Sequence, residues 1–105
     1  MVRETVTLVA CRDRAQARRI ATALVRERLA ACVNVVPGVT SIYRWKGKVE
    51  KAAEVLLVIK SRAALSKRLA ARVRALHSYS VPEVVTLSIV SGSAAYLRWV
   101  RESTR

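Results

Sequence analysis

The chain has 105 residues and reads as one domain, 1–105, with enough apolar residues (52%) to build a core at that length. Lys and Arg number 20 against 7 Asp and Glu, a net charge of +13. No apolar run approaches the length of a membrane span, and the N-terminus lacks the long apolar stretch of an export signal, so a cytoplasmic chain with no membrane partner is expected. So high a charge attracts polyanions by counterion release, but the 15 Arg are spread over helix faces rather than gathered in a tail, so nucleic acid is expected to bind only non-specifically.

Glu4 to Cys11 alternates and is partly β-branched, which predicts the first strand. Asp13, with Gln16 three residues on, is a capping-box pattern opening a helix. In it Ala17, Ile20, Ala21, Leu24, Val25 and Leu29 recur at helical spacing, and the helix is expected to end near Ala30. Cys32–Val36 and Val39–Trp45 read as one long strand interrupted at Pro37-Gly38, a bulge or bend, because Pro cannot donate to a ladder. The chain turns at Lys46-Gly47, and Val49–Glu54 leads into the wholly apolar run Val55–Ile59 of a central strand. Ser61 is a candidate cap for a second helix with Leu65, Leu69, Val73 and Leu76 inward. Val84–Val90 forms a fourth strand, and Ser93 can cap a short final helix.

The order β-α-β-β-α-β-α is an α+β class chain: a ferredoxin-like βαββαβ sandwich with a long β2–β3 hairpin arm and a short C-terminal helix. Such a sheet has helices on one face, and one extra short helix cannot cover the other, so self-association is expected.

Little points to catalysis. The single His (His77) and single Asp (Asp13) do not make a credible triad with a Ser, and three scattered glycines make no phosphate loop. Glu50 and Glu54 are the one nearby carboxylate pair, and they flank a strand rather than line a cleft. The chain is not expected to be an enzyme. Cys11 and Cys32 are too far apart for a redox or zinc motif, and Cys11 reads as a buried apolar residue. His77, at the end of the second helix, either meets that helix's negative end or joins Tyr79 and Glu83 in a site suited to Cu(II) or Zn(II).

The runs 29–48 (LAACVNVVPGVTSIYRWKGK), 54–60 (EVLLVIK), 77–85 (HSYSVPEVV) and 96–100 (YLRWV) resemble the signature of the CutA family of divalent-cation tolerance proteins. The resemblance covers nearly the whole chain. It implies a homotrimer similar to that of the PII signalling proteins, and tolerance to copper and other divalent cations. Carried over by position, it offers Cys32, His77 and Glu83 as metal ligands, with Cu(II) or another divalent cation bound and no cofactor required. Ser78 and Ser80 stand where the family motif has Pro and Glu. Two other readings compete. One is a PII-like trimeric sensor that binds a small anion or nucleotide between subunits, with Arg44, Lys46 and Lys48 near the arm tip. The other is a nucleic-acid module that uses Tyr43 and Trp45 on one face of the arm.

Overall fold

The computed structural model describes residues 4–105. In chain order the elements are β1 (Glu4–Cys11), α1 (Arg14–Arg26), β2 (Cys32–Trp45), β3 (Lys48–Arg62), a 3-10 turn (Ala63–Leu65), α2 (Ser66–Leu76), β4 (Val85–Ser88) and α3 (Ala94–Ser103). One antiparallel sheet has the order β2-β3-β1-β4, the ferredoxin-like arrangement.

The long arm forms for the reasons its sequence suggests. β2 and β3 pair along their whole length, from Cys32 opposite Lys60 to Trp45 opposite Lys48. The register slips between Val36 and Val39, where Gly38 takes φ +77, so the bulge falls at Pro37-Gly38. Lys46 (φ 50) and Gly47 (φ 79) close a two-residue turn in left-handed geometry, which matches the twist of the flanking strands. Together the strands draw the molecule out to 43 × 26 × 23 Å.

Alternation along the strands divides the sheet into two faces. Val9 and Cys11 of β1 and Val55, Leu57 and Ile59 of β3 point to one side and pack with Ala17, Ile20 and Leu24 of α1 and Leu69 and Val73 of α2. This is the core. Ser61 shares that side, and its hydroxyl donates to the Leu29 carbonyl at 2.6 Å. On the other face α3 lies over one end only. Leu97 and Val100 are buried there, the Arg62 guanidinium donates to Thr104 Oγ1 and the Thr104 carbonyl, and Arg101 sits 3.2 Å from the buried Glu4 carboxylate.

Helix termini show where local chemistry is obeyed and where it is not. The Gln16 N–H donates to Asp13 Oδ1 at 2.8 Å, and the Tyr96 N–H donates to Ser93 Oγ at 3.3 Å, as expected of caps. The Gln16 side chain reaches back one residue further than a capping box requires, accepting from the Arg12 N–H. Ser61 caps nothing, because β3 runs on to Arg62 and α2 begins without a side-chain cap. α1 stops at Arg26, well before Ala30. Leu29 N–H reaches back to the Leu24 carbonyl and Arg28 N–H to that of Val25, with Arg28 at φ 59. This is a Schellman motif whose left-handed position holds Arg instead of Gly. The left-handed conformation costs a side-chain-bearing residue about 1–2 kcal/mol. Arg28→Gly is therefore expected to raise stability by about 1 kcal/mol, the gain trimmed by glycine's greater unfolded-state freedom. Urea denaturation at fixed chain concentration checks it; an unchanged or lower midpoint would contradict the strain argument.

A carboxylate and aromatic cleft beside the hairpin arm

The fourth strand is shorter than its sequence suggests. It pairs with β1 only from Thr5 to Leu8, so the last residues of β1 have no strand on that side. The chain between α2 and β4 fills the gap. His77, the residue that closes α2, is buried and turns its ring onto the end of β1, with Nε2 2.8 Å from the Ala10 carbonyl oxygen. Its Nδ1 accepts from the Tyr79 N–H at 3.1 Å. A nitrogen facing an N–H must accept, so the other must donate to the carbonyl, and the imidazole is neutral with its proton on Nε2. The ring does not meet the carbonyls of its own helix.

That arrangement fixes Tyr79. Its ring lies 4.7 Å from the His77 ring at a 48° tilt, and its hydroxyl donates to Glu54 Oε2 at 2.7 Å. Burial, then the hydrogen bond to Glu54, pushes the Tyr79 phenol up to about 12, so it remains a donor at any physiological pH. Around this pair lies a cleft of about 590 Å³ between the arm and the α2–β4 connection, lined by Ser41, Tyr43, Trp45, Glu54, Tyr79 and Glu83 among others. Contrary to the sequence expectation, Glu54 does line a cleft. Nothing local signals this, because its partner Tyr79 is 25 residues away. Tyr43 and Trp45, on one face of the arm, form part of the same wall.

The three candidate metal ligands are not brought together within one chain. Cys32 opens β2 opposite Lys60, whereas His77 sits at Ala10, which pairs with Leu56. Four residues of strand separate these levels, about 13 Å. Cys32 is half-buried, and Tyr96, whose phenol is raised chiefly by burial, lies beside it. Glu83 is exposed at the cleft. Among the described residues no three His, Cys, Asp or Glu side chains form a group able to hold a metal ion. Cys11 is fully buried, and burial raises its thiol to about 11, so it is neither a nucleophile nor a thiolate ligand at neutral pH.

A family model of the CutA1 divalent ion tolerance protein matches residues 5–103. The chain belongs to the CutA1 family. It is 52% identical over 101 residues to the divalent-cation tolerance protein CutA of Thermus thermophilus, a match covering 96% of this chain and 98% of that protein. A solved structure of the divalent cation tolerance protein Cut A1 from the same bacterium superposes with a TM-score of 0.95 over 97% of this chain and 99% of that one. Protein CutA of Homo sapiens is 46% identical over 95% of this chain, which spans only 56% of that longer protein. Family membership and the names of these relatives support a role in divalent-metal tolerance. Among the described residues no helix is long and apolar enough to cross a membrane.

Proposed function

We propose that this CutA1 chain is the subunit of a homotrimer that takes up Cu(II) or a similar divalent cation in metal tolerance, without catalysing a reaction. The observation that carries the assembly is the uncovered sheet face. Beyond the end covered by α3, Val36 (39% exposed), Val85 (47%) and Leu87 (51%) stand on the side of the sheet away from the core. On the arm, Ile42 is 70% and Val49 67% exposed. A monomer this small rarely leaves so much apolar surface in contact with water. Closed symmetry also changes the count at a metal site, since a donor that stands alone in one chain can meet another chain's groups.

Within that reading Cys32 supplies a soft sulfur and Glu83 an exposed carboxylate, a combination that favours copper over harder ions. His77 joins them only by giving up its bond to the Ala10 carbonyl. The anion-sensor reading gains nothing from the cleft, where an anion would meet Glu54 and Glu83; Arg44, Lys46 and Lys48 lie at the exposed arm tip instead.

Native mass spectrometry of the intact protein, alone and with Cu(II) or Zn(II), tests both parts. The expected species has a mass of about 35 kDa, three chains of 11.6 kDa, and binds ions in multiples of three. Cys32→Ser and Glu83→Gln are each expected to reduce the uptake. A monomer would refute the assembly, and a trimer that stays metal-free would refute the cation site.

A further inference from the structure

The acidic side chains of this chain are few, and most are accounted for. Asp13 caps α1 and holds Arg12, Glu27 takes the Arg72 guanidinium through both oxygens, and Glu4 is buried against Arg101. Two of the remaining four, Glu54 and Glu83, line the same cleft. Among the described residues, Glu83 has no hydrogen-bond or ion-pair partner, and Glu54 has only the Tyr79 hydroxyl on one of its oxygens. No Lys or Arg lines the cleft, although the chain carries 20 of them. The rings of Tyr43, Trp45 and Tyr79 line it too, alongside aliphatic side chains such as Ile42 and Val81. In a molecule of net charge +13, this is a concave surface that carries two carboxylates and three aromatic rings, with the Lys46 ammonium 6.0 Å from the centre of the Trp45 ring.

We infer that this cleft binds a small organic cation, and that its chemistry fits an alkylguanidinium. A planar guanidinium can lie against Trp or Tyr faces and donate two parallel hydrogen bonds to a carboxylate, and an alkyl stem covers the remaining apolar wall. A bare divalent ion is a poorer match here. Hard cations require about six oxygen ligands, and the cleft offers two carboxylates beside aromatic rings. The site is also held ready. From the Ala10 carbonyl through the His77 ring to the Tyr79 backbone, and from the Tyr79 hydroxyl to Glu54, each partner fixes the next. His77 thus acts as a positioning residue for Tyr79 and Glu54. This inference does not depend on Cys32 or on a bound metal, but it rests on the proposed trimer leaving the cleft accessible, because the cleft opens on the sheet face away from the core.

Calorimetric titration of the intact protein in EDTA with butylguanidinium chloride tests it, with sodium butyrate as the anionic control. One site per chain is expected, with a Kd of about 1 mM or tighter, and no binding of butyrate. Glu83→Gln, at an exposed position, and Glu54→Gln are each expected to weaken binding by about tenfold or more. His77→Phe keeps an aromatic ring beside Tyr79 but removes both hydrogen bonds, and is expected to give a smaller loss, about threefold. Far-ultraviolet circular dichroism of each variant establishes that it is folded. Binding weaker than about 10 mM, or equal binding by a folded Glu83→Gln variant, would overturn the inference. The Cu(II) measurement is separate. Guanidinium binding without metal uptake leaves this inference standing while the metal reading fails, and metal uptake without guanidinium binding does the opposite.

Discussion

Leu87→Asp is expected to leave a folded chain that no longer assembles. Leu87 lies on β4 opposite Val6, on the side of the sheet away from the core, and it is half exposed in the single chain. Substituting an exposed side chain on a four-residue edge strand costs the fold little, within about 1 kcal/mol. In the homotrimer proposed above the same position would face another subunit. A carboxylate placed there must be desolvated without a partner, at a cost of several kcal/mol per site, and symmetry repeats the insult in every chain. Chains that each carry +13 repel one another, so apolar contact is what would have to hold such an assembly together. At micromolar concentration the native mass should fall from the trimer to 11.6 kDa while the far-ultraviolet circular dichroism stays unchanged. A variant that remains a trimer would show that this face is not the interface.

The fold was largely legible in the residues, because its features rest on local chemistry. Asp13, Ser93, the Pro37-Gly38 bulge and the Lys46-Gly47 turn each act within a few residues of sequence. The α1 terminus misled because Leu29 has helical spacing yet reaches the core as the residue after a left-handed turn, and that turn is occupied by Arg28, where Gly would have announced it. Ser61 misled because a serine before a helical pattern looks the same whether it caps the helix or donates from a strand to the Leu29 carbonyl. The apolar pattern overstates β4 because its pairing with β1 runs only from Leu8 to Thr5, which no periodicity within β4 records. The cleft was the least legible. It depends on Glu54, Tyr79 and the arm residues meeting across the fold, and the signals available were a carboxylate in a strand and an aromatic pair at alternate positions. His77 was legible as a residue of consequence. Its backbone partners, Ala10 and Tyr79, come from register and packing that the sequence alone does not state.

Leu57→Ala is expected to act in the opposite way to Leu87→Asp, weakening the fold while sparing the subunit count. Leu57 has no exposed surface, and β3 is one of the two inner strands. Its neighbours in register are Val35 on β2 and Val9 on β1, and all three belong to or pack against the core cluster beneath α1 and α2. Truncation removes three buried carbons and leaves a void that rigid strands on both sides cannot collapse around. The expected loss is about 2–5 kcal/mol, toward the upper part of that range because the ladder fixes the backbone on either side. For a domain of this size, a loss of about 3 kcal/mol lowers Tm by about 12–24 °C at fixed chain concentration. The altered side chain faces the helices, so the native mass of the folded fraction should be that of the parent. Thermal melting by circular dichroism, with native mass spectrometry at low temperature, reads both quantities. A Tm shift of only a few degrees would show that the core is not gathered at Leu57. Loss of the trimer before loss of helix signal would show that a change on the core face reaches the interface, and that the two faces of the sheet do not act independently.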